Sequence, residues 1–324
     1  MFSDKVIFIS ALDWGLGHAT RCVPLIRKFQ KNNKIIIGVT PLTKSVFEEE
    51  FPSLEKINLP AYNVRYSKTL PLWLKLFFDW PRIKKVIKDE NTELEKIISK
   101  YKIDVVISDN RFGLYSKKIH SVFITHQLFI KTPFATGIIQ KINKKYILNF
   151  DEIWIPDFEN ETESLSGELS HGEHFHKNVK YIGPLSRLQK INSLETKYDY
   201  LFLISGPEPQ HSILRNLLCE LALQYPDLKF CLISNVKLQE QSFKNIETFV
   251  SPNNQQLSQL ISQSKKIICR SGYSTLMDIF LIGIKNIILV PTPGQTEQEY
   301  LANNWKQKFN AKVIEQKNLS GLNL

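Results

Sequence analysis

Ile267-Ile-Cys-Arg270-Ser-Gly-Tyr-Ser-Thr275-Leu-Met-Asp278 and, after a short interval, Asn286-Ile-Ile-Leu-Val290-Pro-Thr-Pro-Gly294-Gln-Thr-Glu-Gln298-Glu299 decide the fold. Each piece reads as a short apolar strand, a polar cluster, and then the start of a helix. The first backbone N–H groups of a helix have no internal partner, and the peptide dipoles leave that end positive, so an anion is favoured there. Two such junctions on consecutive strands of one sheet can hold a diphosphate and the hydroxyls beside it. A carbohydrate nucleotide suits both.

The same alternation continues towards the N-terminus. In the second half, strands are expected at Tyr200–Ile204, Lys229–Ser234, Ile246–Val250, Lys266–Cys269 and Asn286–Val290. Helical patterns fill the intervals at Ser212–Gln224, Asn254–Ser262, Tyr273–Ile282 and Thr296–Lys308. A separate series occupies the first half, with strands at Val6–Ser10, Lys34–Thr40, Glu55–Leu59, Ile103–Ser108, Ser121–Thr125 and Glu152–Ile155. Its helices are expected over His18–Gln30, Leu42–Glu49, Leu72–Lys100 with a break near Pro81, and Pro133–Tyr146. Apolar strands separated by helices of this length imply right-handed βαβ units and parallel sheets. Two series predict two doubly wound α/β domains, residues 1–185 and 186–324, facing a cleft. Their junction is expected in the polar segment Glu159–Lys190, which contains the breaker Gly183-Pro184.

Size and composition agree with a two-domain globular chain: 324 residues, 43% apolar and 23% charged. Cys22, Cys219, Cys231 and Cys269 are scattered beside apolar runs without a C-x-x-C pair, which reads as a reduced, cytoplasmic protein. No signal peptide and no run of about 20 apolar residues is present, so the expectation is a soluble protein. Charge is uneven, with 25 Lys+Arg against 13 Asp+Glu in residues 1–150 and 17 against 19 in the remainder. The basic half suits an anionic surface or a phosphorylated acceptor, and no nucleic-acid motif accompanies it. Residues 69–88 join a Leu-, Phe- and Trp-rich stretch to Arg82, Lys84, Lys85 and Lys88. That pattern fits either a helix at a membrane headgroup boundary on the inner face or a core helix with a solvated basic side.

The first expected strand runs into Asp13-Trp-Gly15-Leu-Gly17-His18-Ala-Thr-Arg21. Gly15 and Gly17 let the backbone approach a ligand and adopt positive φ. The dinucleotide fingerprint is incomplete: Thr20 stands where a third glycine belongs, and no acid ends the second strand, so NAD binding is not expected. His18, at the turn from loop to helix, is the candidate general base, with helix capping as the competing reading. Asp13 is the rival base. Arg21 fits either a phosphate or a carboxylate partner. Asp109 and Arg111 follow the fourth expected strand and belong to the same end of the sheet. His171, His174 and His176 lie in a polar stretch without a cysteine or carboxylate partner, and no metal site is expected from them.

Taken together these residues resemble the MurG-type, family 28 branch of GT-B glycosyltransferases. The resemblance rests on Gly15-Leu-Gly17-His18, on Arg270-Ser271-Gly272 with Thr275 and Asp278, and on Gln298. It implies the GT-B fold of two Rossmann-like domains and a hexosyltransferase-type activity on a nucleotide-diphosphate sugar, commonly a UDP-sugar. Inversion at the anomeric carbon is expected, with an acceptor that can be lipid-linked and no cofactor beyond the nucleotide-sugar co-substrate. By the same resemblance Ser271, Gly272 and the neighbouring Tyr273, Ser274 and Thr275 would cradle the diphosphate, with Arg270 on phosphate or in a structural pair. Asp278 would bridge the ribose hydroxyls, or complement its helix dipole. Gln298 and Glu299 would read sugar hydroxyls, although Glu299 also fits a capping box. Val250, after Phe249, would read the base through its backbone. Gly206 lies in Ser205–Gln210, which replaces the family's glycine-rich loop. His126 and Gln127 would line the acceptor side with Gly15, Gly17 and Asp109. Gly-Leu-Gly-His-Ala-Thr-Arg also resembles nucleotide-sugar hydrolases of nonulosonate pathways, so a hydrolase, or an epimerase of the same scaffold, is the alternative.

Overall fold

The computed structural model describes residues 2–64, 72–132, 136–191, 195–236 and 243–324, except for the side chains of residues 72–77. The chain separates into two compact units, with Ser186 ending the first and Arg187 opening the main body of the second.

The first unit carries strands β1 (Val6–Ala11), β2 (Lys34–Val39), β3 (Glu55–Asn58), β4 (Val105–Asp109), β5 (His120–Ile124), β6 (Glu152–Ile155) and β7 (Val179–Tyr181). They form one parallel sheet in the order β3-β2-β1-β4-β5-β6-β7. Its helices are α1 (Leu16–Phe29), α2 (Lys44–Glu50), α3 (Leu72–Tyr101) and α4 (Thr136–Ile147). The central strands are buried on both faces, which is why they read as unbroken apolar runs rather than as an alternation. On one face Ile7, Ile9, Ile35, Ile37 and Ile107 pack with Cys22, Val23 and Ile26 of α1. On the other, Phe8, Ile36 and Val106 pack with Leu94 and Ile97 of α3.

The second unit repeats the plan with β8 (Tyr198–Leu203), β9 (Phe230–Ser234), β10 (Ile246–Val250), β11 (Ser264–Cys269), β12 (Ile287–Leu289) and β13 (Lys312–Val313), ordered β10-β9-β8-β11-β12-β13. All its pairings are parallel. The helices are α5 (Gln210–Leu223), α6 (Asn254–Ser262), α7 (Tyr273–Ile282) and α8 (Thr296–Lys308). Asn253 caps α6 by accepting the Gln256 N–H at 2.9 Å. Gly283 stops α7 at φ 87°, where its N–H reaches the carbonyls of Ile279 and Phe280, a left-handed position that disfavours a side chain.

Two expectations change. α3 runs unbroken through Pro81. The ring removes one backbone bond, but Ile83, Ile87, Leu94 and Ile97 recur at helical spacing and are buried, so packing outweighs the local loss. The polar stretch expected as a linker is, as far as Ser186, folded into the first unit. There the buried Asp157 carboxylate accepts from the backbone of Phe158, Leu165 and Ser166 and from the hydroxyl of Ser164, while Leu165 and Leu169 are fully buried. β7 follows and pairs with β6. The helix expected from Pro133 is described from Thr136 onward; residues 133–135 lie outside the described residues.

In each sheet the chain order reverses beside the first strand, between β1 and β4 in one unit and between β8 and β11 in the other. Loops leaving two such strands at their carboxyl ends diverge and open a crevice for a ligand. His18 and Asp109 stand at the first of these points, and Gly206 and Arg270–Gly272 at the second.

Candidate active site

Parallel pairing sets Ala11 of β1 opposite Asp109, the last residue of β4. α1 starts five residues beyond Ala11 with Gly15 as its N-cap, so His18 falls in its first turn, level with the end of β4. His18 Nδ1 lies 2.6 Å from Asp109 Oδ1. Arg21, one turn further along α1, donates from Nε to Asp109 Oδ2 and from Nη2 to Asp109 Oδ1. Its third nitrogen, Nη1, donates to His126 Nδ1 at 3.0 Å. Cys22 Sγ reaches Asp109 Oδ2 at 3.7 Å. Asp109 is fully buried and Arg21 only 2% exposed, whereas the His18 side chain keeps 19% exposure. Arg21 therefore belongs to a carboxylate and not to a phosphate.

This burial and charge pattern determines protonation. Burial alone would raise the Asp109 carboxyl, but Arg21 and then His18 outweigh it and hold it at about 2. The carboxylate can only accept, so His18 Nδ1 carries the proton and Nε2 keeps a lone pair. Burial, followed by the Arg21 charge, lowers the His18 pKa against the opposing pull of Asp109. The imidazole is therefore neutral at pH 7 and able to take a proton. The pairing of Arg21 with His126 was not legible in the sequence, because the residues stand 105 positions apart.

Asp13, the rival base, is buried and accepts the Tyr62 backbone N–H with both oxygens, at 3.3 and 3.1 Å. This contact braces the loop at Tyr62. Gly15 and Gly17 do not take the left-handed conformation: Gly15 is extended at φ 160° and Gly17 is helical. What Gly15 provides is space, since a Cβ built there would meet nothing within 4 Å. Arg111 is fully buried, pairs with Glu90 and donates to the carbonyls of Ala11 and Pro60, which places it in the scaffold beneath the crevice. Gln127 is half-buried beside His126, its backbone N–H bonded to Thr125 Oγ1 at 3.0 Å.

In the second unit the two polar clusters of the opening stretch are tied together, because Ser271 Oγ donates to the Gln298 carbonyl at 2.7 Å. α7 begins at Tyr273 with Gly272 as N-cap, no side-chain cap and no acid in its first turn. A Cβ at Gly272 would meet nothing within 4 Å. Ser274 and Thr275 are half-buried there, while Tyr273 and the Ser271 side chain are buried. Asp278 is half-buried in the second turn, too far along for the dipole reading to explain it. Gln298 Oε1 accepts the Thr292 N–H at 3.0 Å, and its Nε2 donates to Gln295 Oε1 at 2.6 Å. Val250 is exposed at the end of β10, and Gly206 takes φ 98° with open space above it.

Two donor-side expectations are corrected. Arg270 is buried, with Nη1 on the carbonyls of Val290 and Pro291 and Nη2 on those of Gln210 and the Gln316 side chain. Burial lowers its pKa to about 10, still charged at neutral pH, but the charge is spent on holding three loops together. Glu299 Oε1 accepts the Gly294 N–H at 3.0 Å, which ties it to the turn before the Gln295 N-cap rather than into the expected Thr296 capping box. His171, His174 and His176 each bond a backbone carbonyl, and among the described residues no group of three His, Cys, Asp or Glu side chains is placed to hold a metal ion.

Two parallel, doubly wound units with polar clusters at both switch points define the GT-B class. Solved structures agree. The spinosyn rhamnosyltransferase SpnG complexed with thymidine diphosphate is similar with a TM-score of 0.66 at 12% identity, covering 98% of this chain and 90% of that one. MurG of Acinetobacter baumannii is similar with a TM-score of 0.55 at 12% identity, covering 97% and 87%. The calicheamicin glycosyltransferase CalG4 gives 0.64 at 12%, covering 98% and 87%. At these identities the likeness concerns the fold. A search of curated proteins returns no match. Residues 199–324 match the model of the glycosyltransferase family 28 C-terminal domain. The chain therefore has the GT-B fold, and its second unit matches the family 28 C-terminal domain, which supports a glycosyltransferase in line with the MurG-type resemblance.

Proposed function

We propose that the enzyme moves a sugar from a UDP-sugar to an acceptor hydroxyl with inversion, using His18 as base. The observation that carries this reading is the 2.6 Å contact between His18 Nδ1 and Asp109, which leaves Nε2 as the proton acceptor. The acceptor oxygen attacks the anomeric carbon from the face opposite the diphosphate while its proton passes to His18 Nε2. The bond from the anomeric carbon to the β-phosphate oxygen breaks, and the diphosphate leaves with the electron pair. Asp109 stabilises the imidazolium formed. The uncapped start of α7 is suited to the charge growing on the leaving diphosphate, with Asp278 as the ribose ligand. The step needs no metal ion and no cofactor.

The acceptor is proposed to be lipid-linked and met at an anionic membrane surface. Of residues 69–88, residues 69–71 and the side chains of 72–77 lie outside the described residues. In the remainder Phe78 is 68% exposed and Lys84, Lys85 and Lys88 are exposed, while Trp80 packs edge-on against Tyr146 of α4. α4 adds the exposed Ile138, Lys141 and Lys144. Exposed apolar groups among lysines support peripheral binding, and no described helix is long and apolar enough to cross a membrane.

Thermal-shift assays with UDP-, GDP-, dTDP- and CMP-sugars test the donor, since a selective ligand raises apparent stability. UDP-sugars should stabilise the wild type and His18→Ala alike, and Asp278→Ala should weaken the shift. His18→Ala is expected to lose turnover. Full activity in that variant would remove His18 from the mechanism, and stoichiometric release of free sugar without any acceptor would make the enzyme a hydrolase.

A further inference from the structure

We infer that Arg21 is a positioning residue that imposes opposite tautomers on the two imidazoles of the first unit's crevice, leaving His18 with a bare Nε2 and His126 with a protonated one. The guanidinium donates to the Asp109 carboxylate and to His126, and its Nη2 also passes 2.9 Å from His18 Nδ1. Nε and Nη2 take the two oxygens of Asp109, and Nη1 takes His126 Nδ1 at 3.0 Å. A guanidinium can only donate, so His126 Nδ1 must accept and its proton resides on Nε2. His18 Nδ1 meets both Asp109 Oδ1, an acceptor, at 2.6 Å and Arg21 Nη2, a donor, at 2.9 Å; Nη2 is already bonded to Asp109 Oδ1 and the carboxylate contact is the shorter, so Nδ1 carries its proton. One buried fork therefore fixes one imidazole as a base and the other as a hydrogen-bond donor.

The same fork governs His18 basicity. The charged and titratable groups facing His18 are Arg21 on its own helix, Asp109 at the end of β4, and His126 beyond β5; the Cys22 thiol touches Asp109. Arg21 Nη2 comes within 2.9 Å of His18 Nδ1 while its partner nitrogens neutralise the carboxylate. Removing Arg21 would leave the Asp109 charge acting on His18 alone and would favour the imidazolium. Burial opposes that form throughout, in line with the lowered basicity of His18.

Tautomers and titration can be read by long-range proton–nitrogen correlation on histidine-labelled enzyme, without reference to activity. The wild type should show His18 protonated at Nδ1 and His126 at Nε2; the same tautomer on both would overturn the inference, and this measurement needs no variant. In Arg21→Gln the His18 titration should rise by at least one pH unit, and in Arg21→Lys, which keeps the charge, by less than half as much. A folded Arg21→Gln protein with His18 unmoved, or a lysine variant shifted as far as the glutamine one, would also overturn it. The consequence for turnover rests on the proposed role of His18 as base. If that role holds, the acid limb of kcat/KM moves upward in step, with at least a tenfold loss at pH 6 that recovers at pH 9. If the imidazole moves and the limb does not, the base assignment falls while the tautomer assignment stands.

Discussion

Replacing Asp109 by Asn tests the base and its support at once. The carboxylate sits 2.6 Å from His18 Nδ1 and is chelated by Arg21, with no solvent exposure. A charge pair about 4 Å apart at an effective dielectric of about 20 is worth about 4 kcal/mol, and Arg21 screens part of it. If about 2–4 kcal/mol of imidazolium stabilisation is lost in the transition state, kcat falls by roughly 30- to 1000-fold. Raising the pH should not restore it. Asn removes the one charge that raises the His18 pKa while Arg21 continues to lower it, so the base becomes weaker as well as less well aimed. Stability should fall too, because Arg21 is left buried without its counter-ion, a change that typically costs about 3–5 kcal/mol. The native carboxyl sits at about 2 against its ordinary 3.8, so its contribution of roughly 2 kcal/mol is present above about pH 4 and lost as pH falls through 2. Steady-state transfer across pH, with thermal unfolding of both proteins at pH 7, measures each part. A folded Asp109→Asn enzyme within tenfold of wild-type kcat would refute the reasoning.

Other substitutions separate scaffold from chemistry. Asp13→Asn keeps an oxygen for the Tyr62 N–H, so kcat should stay within about threefold of wild type; a thousandfold loss would restore Asp13 as the base. Glu299→Ala should leave the preference among donor sugars unchanged and cost about 1 kcal/mol of stability, as for a lost cap, measured by denaturant unfolding. Arg270→Met strands the carbonyls of Gln210, Val290 and Pro291, and a loss of about 3 kcal/mol or more is expected in the same assay.

The parallel sheets were legible because strands buried on both faces must be apolar throughout. The bounds of α6, α7 and α8 follow from Asn253, Gly272 and the Gly294-Gln295 turn, which stand where helix starts require them. β7 and β13 escaped notice: Val179-Lys-Tyr181 and Lys312-Val313 are edge pieces too short to show any period. The polar stretch beyond Asp157 misleads for another reason. Its serines look solvated in one dimension, yet they converge on one buried carboxylate that only the folded chain supplies. On the donor side the residue types were readable, but their partners were not. Nothing local to Arg270 shows that Gln210, 60 positions away, and Gln316, 46 away, will claim its donors.

The Asp109 cluster shows why such a site resists reading from sequence while being dictated by it. Asp109 and Arg21 are 88 positions apart, and each alone is a buried charge that the fold would not tolerate. Register removes the difficulty, since Ala11 lies beside Asp109 and α1 must start just beyond β1 for its apolar face to reach Ile7 and Ile9. Once α1 packs, Arg21 can only point at the end of β4, and His18, one turn earlier, lies over the same carboxylate. The helix that covers the sheet therefore also orients the base, so the Asp109 variant should lose stability together with turnover, whereas His18, still partly exposed, can be removed with little cost to the fold.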